Sequence, residues 1–381
     1  MDGWLVPSAA YVHVPFCRTK CLYCDFNTYA GKDRLIPEYV AAVATEIGRR
    51  AQTGRRLTSV YFGGGTPSLL TLAQLRRVLE ALRRTCGVAG DAEITLEANP
   101  GTFGPSYVEG LRALGVNRLS LGVQSLDDET LRRLARTHSA AQALDAVRTA
   151  RVTGMRSVNL DLIYGLPWQT LESWRDGLRR ALDTAPDHIS LYALMVEEGT
   201  PLATLVDRGK WEVADQDLVA DMYEAALPEL RGAGFRHYEV SNWARAGHES
   251  RHNLVYWRNE AYLGFGAGAH AYAGGTRSWN VRPIEHYVRR VASGADPTEG
   301  CETLDAAGQV GETAALALRL PLEGIEFARF RRRFGVEPRQ RWAAELGELS
   351  AAGLVAVDAE RARITERALL VSSEIAARFV A

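Results

Sequence analysis

Apolar residues along the first two-thirds of the chain fall in short β-rich runs that alternate with stretches of helical periodicity. Ala10–Phe16, Ser59–Phe62, Glu93–Leu96, Arg118–Val123, Ser157–Ile163 and His188–Met195 read as strands. The helical stretches are Pro37–Gln52, Leu72–Arg84, Ser106–Leu114, Glu129–Ala135 with Ala141–Val152, Leu171–Leu182 and Asp215–Gly232. Strands alternating with helices imply right-handed βαβ units around a parallel sheet. The expected fold is therefore α/β, a curved, partial (β/α)6 barrel over residues 1–234, with a doubly wound open sheet as the alternative topology. From 235 to 300 the pattern gives way to a small mixed region rich in histidine, aromatic residues and glycine. Residues 301–381 read as helices (Glu326–Phe334, Arg339–Ala352, Arg367–Phe379) around two short β-like runs, a winged-helix-like domain.

In either parallel topology, ligands gather at the carboxyl ends of the strands. The unusual polar and glycine residues fall there: a cysteine loop after the first run, Gly63-Gly64-Gly65-Thr66-Pro67 after the second, then Glu97, Gln124, Asp161 and Tyr192-Ala193. The glycine segment is neither a P-loop nor a dinucleotide fingerprint, and it reads as a backbone cradle or as a tight turn without a ligand. Asp161 lies in an otherwise apolar run, where an unpartnered carboxylate is costly.

Composition narrows the function class. The chain has 381 residues, 46% apolar and 24% charged, with a net charge of −1. Such near-neutrality argues against a protein that coats nucleic acid or an anionic membrane. The basic run Arg329–Phe334 is flanked by Glu323, Glu326 and Glu337 and reads as a solvated helix face. Met1-Asp2-Gly3-Trp4-Leu5 shows no signal-peptide pattern and no apolar run is long enough to span a membrane, so a cytoplasmic address is expected.

The candidate chemistry starts at Cys17, Cys21 and Cys24, three of the five cysteines, spaced Cys-x3-Cys-x2-Cys. Soft thiolates select zinc or iron–sulfur clusters, and both usually take four protein ligands. Three leave one position open to a small molecule. Zinc with His13 as fourth ligand is the competing reading; an odd cysteine count in a large chain argues against a disulfide framework. Farther on, His252-Asn253-Leu254-Val255-Tyr256-Trp257 puts an imidazole among aromatic residues, a setting that suits axial ligation of haem iron. Its bland alternative is a hydrogen-bonded core histidine.

The cysteine spacing, with Tyr23 before the third cysteine, resembles the signature of radical S-adenosylmethionine (SAM) proteins. In that family three thiolates hold a 4Fe–4S cluster, SAM chelates the fourth iron, and an electron can cleave SAM to a 5′-deoxyadenosyl radical. Tyr11–Cys17, Gly63–Pro67, Glu97-x-Asn99-Pro100, Gln124-Ser125, Arg136-x-His138 and Asp161–Pro167 resemble, in order, the group related to oxygen-independent coproporphyrinogen III oxidase. The resemblance implies SAM contacts at Tyr11, Tyr23, Gly64, Gly65, Thr66, Glu97, Gln124, Arg136, Asp161 and Ala193. The oxidases carry a fourth cysteine where Phe26 stands here, and a longer segment before the first strand. His252-Asn253-x-x-Tyr256-Trp257 is similar to the hallmark of the haem chaperone branch. That branch implies a protein that binds haem through a residue such as His252 and delivers it to acceptor proteins, without coproporphyrinogen oxidase activity. An electron donor is implied if SAM is cleaved; nucleic acid is not an expected partner. A radical SAM enzyme, either the oxidase or a related methyltransferase, is the alternative.

Overall fold

The computed structural model describes residues 4–50 and 56–380. The end of the first helix, expected to reach 52, and the first three residues of the N-terminal segment lie outside them.

A twelve-stranded sheet organises the described residues. Its centre is β1 (Ala9–Val14), β2 (Leu57–Gly64), β3 (Val88–Ala98), β4 (Arg118–Gln124), β5 (Ser157–Tyr164) and β6 (His188–Ala193). These six are parallel and adjacent in chain order. A doubly wound sheet reverses its strand order at a switch point; this one does not, and the partial-barrel expectation holds. Crossovers run through α1 (Ile36–Arg50), α2 (Leu72–Thr85), α3 (Pro105–Ala113), α4 (Asp128–Arg133), α5 (Ala140–Val152) and α6 (Leu171–Asp183). Three of these start at capping boxes, Thr71 with Gln74, Ser139 with Gln142 and Thr170 with Ser173, which satisfy amides the first helical turn leaves open. After β6 come α7 (Pro201–Asp207), absent from the sequence reading, and α8 (Gln216–Gly232).

The mixed region extends the same sheet at both edges. β7 (Arg236–Glu239) and β8 (Asn242–Ala244) add an antiparallel hairpin outside β6. The chain then forms α9 (Arg251–Trp257) and returns as β9 (Tyr262–Phe265), parallel to β1 with Tyr11 opposite Gly264. β10 (His270–Ala273), β11 (Thr276–Asn280) and, after α10 (Ile284–Ala292), β12 (Thr298–Thr303) complete that edge antiparallel. The segment Gly264–Ala269 is packing rather than a cradle. Gly266 adopts φ +100°, and its amide donates to the buried Glu46 carboxylate at 2.9 Å. Glu46, on α1, also accepts from Tyr287, Asn280 and Arg50, so four donors neutralise a carboxylate that burial would otherwise make costly.

The C-terminal part holds α11 (Ala306–Ala317), α12 (Phe327–Phe334), α13 (Pro338–Arg341), α14 (Ala343–Ala351) and α15 (Ser372–Ala377). They surround a three-stranded sheet of β13 (Ile325–Glu326), β14 (Val355–Val357) and β15 (Arg361–Ile364), with β15 in the middle. This is the winged-helix-like arrangement the pattern suggested. Its basic run is partly spent inside the chain. Arg329 pairs with Glu260 at 2.6 Å and Arg331 with Glu337 at 2.7 Å, while Arg333 lies 3.9 Å from the Trp4 ring.

Candidate functional site

The cysteine loop leaves β1 and is pinned at both ends. Phe16-Cys17 pairs in parallel with Tyr29-Ala30, and the Asn27 amide donates to the carbonyls of Ala267 and Arg282, each at 3.0 Å. All three thiols line one cavity of about 380 Å³ at the carboxyl ends of the barrel strands. Each sulfur has a polar neighbour: the Thr66 hydroxyl donates to Cys17 Sγ at 3.6 Å, Arg136 Nη1 donates to Cys21 Sγ at 3.3 Å, and Thr28 Oγ1 lies 3.9 Å from Cys24 Sγ. Burial raises the Cys17 and Cys24 thiols, and the threonine hydroxyls act in the opposite direction.

His13 does not supply a fourth ligand. Its Nδ1 lies 2.9 Å from the Tyr11 hydroxyl and its Nε2 2.9 Å from the Asn27 carbonyl. Burial holds its pKa down to about 4, and both ring nitrogens are engaged within the chain. The zinc alternative thereby loses the ligand on which it depended.

The rim residues converge as the strand pattern implied. Tyr23, Gly64, Gly65, Glu97, Gln124, Arg136, Asp161 and Ala193 line the cavity that the thiols line. Thr66 adjoins it through its bond to Cys17, and Tyr11 sits behind it against His13. Gly64 has φ +114°, and a Cβ there would come within 2.4 Å of the His13 ring. Gly65 passes the Phe16 carbonyl, which a Cβ would meet at 2.6 Å. These two positions need glycine because the backbone must approach the His13 ring and the start of the cysteine loop that closely. Glu97 accepts from the Tyr61 hydroxyl at 2.8 Å and from the Gly64 amide at 3.0 Å. Asp161 accepts from Asn159 at 2.7 Å and Ser120 at 3.2 Å. Arg136 Nη2 donates to Asn99 and to the Gly122 carbonyl, both at 2.6 Å, yet its buried Nε has no partner. Gln124 carries φ +65°, unusual for a residue with a side chain; such strain of about 1–3 kcal/mol concentrates at ligand sites.

His252 does not itself line the cavity, although its neighbours Ser250 and Asn253 do. α9 lies against the amino-terminal part of β2 and β3: Glu93 accepts from the amides of Arg251 and His252, both at 3.1 Å. The His252 ring is enclosed, with Nδ1 3.0 Å from Ser59 Oγ and Nε2 2.9 Å from the Tyr256 hydroxyl, and it stacks on Tyr61. Burial pushes its pKa down to about 3. Both ring nitrogens are engaged within the chain, by Ser59 and by Tyr256. His237 stacks on Trp243, and His270 on Trp279.

Comparison with known proteins identifies the family. Residues 11–181 match the Radical SAM superfamily and residues 304–371 the HemN C-terminal domain. The heme chaperone HemW of Bacillus subtilis is 36% identical over 98% of this chain and 99% of its own length. That of Mycobacterium tuberculosis is 39% identical over 97% of this chain and 94% of its own. The chain belongs to the HemW family of radical SAM proteins. Coproporphyrinogen III oxidase (HemN) from Escherichia coli has a similar solved structure, with TM-score 0.84 and 25% identity over 99% of this chain and 90% of that one. As a radical SAM protein, this HemW-family chain implies a 4Fe–4S cluster and SAM. Its residues fit both: three thiols share one cavity, a glycine cradle lies beside them, and the unpartnered Arg136 Nε awaits an acceptor. Cys17, Cys21 and Cys24 would hold a cluster in this cavity, which would supply one-electron reducing chemistry beside the SAM-side residues; the chain's part is to hold the two groups together.

Several residues of this HemW-family site escaped sequence reasoning. Asn99 links Arg136 to Thr66, its amide donating to the Thr66 hydroxyl at 2.9 Å. Asn159 serves both Asp161 and His188. Asn159 shares a strand face with Asp161, two residues on, which was the available signal there; Asn99 directly follows the end of β3.

Glu97 makes a pH-dependent prediction. Burial first, and Asp161 second, push its carboxyl up to about 7. The folded chain therefore holds this proton more tightly than the unfolded chain, and ionising it costs stability as pH rises from about 4.5 to 7. Glu97→Gln is expected to gain stability relative to the parent across that window, by a few kcal/mol at most at about 1.4 kcal/mol per pH unit, with the difference flat below it. Urea unfolding of both chains at pH 4.5 and 7.5 checks this; an equal difference at the two pH values would refute it. Subtraction matters because His13, His138 and His252, held low by burial, pull the opposite way.

Proposed function

We propose that this chain binds haem and passes it to acceptor proteins in the cytoplasm, on a scaffold that carries a 4Fe–4S cluster and SAM. The observation that carries this reading is near-full-length similarity to proteins named heme chaperone HemW, at 36% and 39% identity against 25% for the oxidase. Phe26, where the oxidases carry a fourth cysteine, supports it. Cys17, Cys21 and Cys24 hold the cluster. Tyr11, Tyr23, Gly64, Gly65, Thr66, Glu97, Gln124, Arg136, Asp161 and Ala193 shape the SAM site within residues 1–234. The stretch 235–300 brings the His252 motif, and 301–381 the winged-helix-like domain. Ligation of haem iron by His252 would require Nε2 to leave Tyr256. No helix among the described residues is long and apolar enough to cross a membrane.

A radical SAM enzyme, the oxidase or a methyltransferase, is the second reading, favoured by the complete set of SAM-side residues. Anaerobically reconstituted protein titrated with haem, and separately incubated with coproporphyrinogen III, SAM and dithionite, decides between them. The chaperone reading expects saturable haem binding tighter than that of albumin and no decarboxylation. Decarboxylation, or binding no better than albumin's, overturns it.

A further inference from the structure

We propose that haem docks across the mouth of the cluster cavity, on an apolar lip of Phe26, Tyr192 and Met195, with the Met195 thioether as a ligand of its iron. The inference rests on the haem-binding reading above and places the cargo away from His252. Phe26 is 63% exposed, Tyr192 43%, Met195 67% and neighbouring Val196 37%. Large apolar side chains that open to solvent together mark an interaction surface rather than chance exposure. Phe26, Tyr192 and Met195 line the cavity that the three thiols line, although they come from two distant segments of the chain.

The lip is held in place from below. Leu194, one residue before Met195, packs with Tyr23 and Trp168 against Leu134, Ile163 and Leu166. Its amide donates to the Tyr164 carbonyl at 2.8 Å, and the Leu202 amide donates to the Leu22 carbonyl at 2.9 Å. The segment after β6 is thus fastened to the cysteine loop while Met195 faces outward.

Size, charge and ligand chemistry select the occupant. A cavity of about 380 Å³ lies at the lower end of small-molecule pockets, which run about 300–1,000 Å³. With SAM beside the cluster it has no room for a tetrapyrrole as well, so a flat macrocycle rests over the opening. Lys20 lines the same mouth, and its cationic end suits a carboxylate of haem; Arg18, exposed on the same loop, lines a separate pocket with Thr102 and Thr137. Asp25 and Glu197 also line the mouth, which directs the haem carboxylates to the Lys20 side. A thioether is an established haem-iron ligand type, whereas the imidazole of His252 has both nitrogens occupied.

The test titrates ferric haem into reconstituted full-length protein, alongside Met195→Leu, Phe26→Asp and His252→Gln. Leucine keeps the apolar area of Met195 and removes only the sulfur. The wild-type complex should show the charge-transfer band of thioether-ligated ferric haem. Met195→Leu should lose that band and bind at least about tenfold more weakly; Phe26→Asp should bind more weakly but keep the band; His252→Gln should keep it at near-wild-type affinity. A Met195→Leu protein with wild-type spectrum and affinity overturns the proposal and leaves haem binding intact, as does loss of the band in His252→Gln alone. A wild-type protein that fails to bind haem overturns the function reading itself, and this inference with it. Equal iron and sulfide content in all four proteins shows that the cluster site is unchanged.

Discussion

Replacing any one of Cys17, Cys21 or Cys24 with alanine is expected to abolish assembly of a stable 4Fe–4S cluster. A site with three protein ligands has no spare one, so losing one thiolate leaves two irons of the cube without a protein anchor. Acid-labile sulfide and iron should fall to background after anaerobic reconstitution, and the brown, dithionite-bleachable absorbance should vanish. The fold should survive. Asn27, His13 and the Phe16-Cys17 pairing with Tyr29-Ala30 hold the loop without using a sulfur, so far-ultraviolet circular dichroism should match the parent. Cys301→Ala is the control, because Cys301 is exposed on β12 at the far edge of the sheet. A single-cysteine variant that retained a full complement of iron and sulfide would refute the ligand assignment.

What the sequence made legible was what short-range pattern encodes. Each central strand is a compact apolar run ended by a turn, so the six strands and the rim residues Glu97, Gln124 and Asp161 could be placed before any fold was known. β3 runs two residues beyond the pattern, through Glu97 and Ala98, whereas β1 and β6 end two residues short of it. Non-local pairing was the part that pattern does not carry. β9 lies beside β1 although some 250 residues separate them, and nothing in Tyr262–Phe265 names that partner. Nothing near Glu46 in the sequence marks it for burial; Gly266, Asn280 and Tyr287, more than 200 residues on, enclose it. The same blindness covered the apolar lip, since Phe26 and Met195 become neighbours only when the segment after β6 is fastened to the cysteine loop. His252 shows the reverse case, a motif easy to see whose chemistry depended on what the fold placed around it.

Substituting His252 with alanine is therefore expected to destabilise the protein before any haem is added, by about 2–4 kcal/mol. The estimate combines a vacated buried ring with two partners left in the interior, Ser59 Oγ and the Tyr256 hydroxyl, at about 1–3 kcal/mol for each group that stays unsatisfied. The other members of the motif act in the same way. Tyr256, one helical turn on, packs edge-on to His252 and to Tyr262, and the Trp257 ring lies under Arg319. The motif thus joins α9 to β2, to β9 and to the end of α11. The effect should also reach the SAM side. Tyr61 stacks on His252 and donates to Glu97, which in turn accepts from the Gly64 amide, so SAM binding should weaken several-fold although no SAM contact is removed. Urea unfolding read by tryptophan fluorescence should show a lower midpoint with little change in slope, and calorimetric SAM titration should show the loss of affinity. An iron ligand waiting for haem predicts the opposite pattern, with stability and SAM binding unchanged and only haem affinity lost. If His252→Ala unfolds at the wild-type midpoint, the packing role of His252 fails and ligation by His252 becomes the stronger reading of the motif.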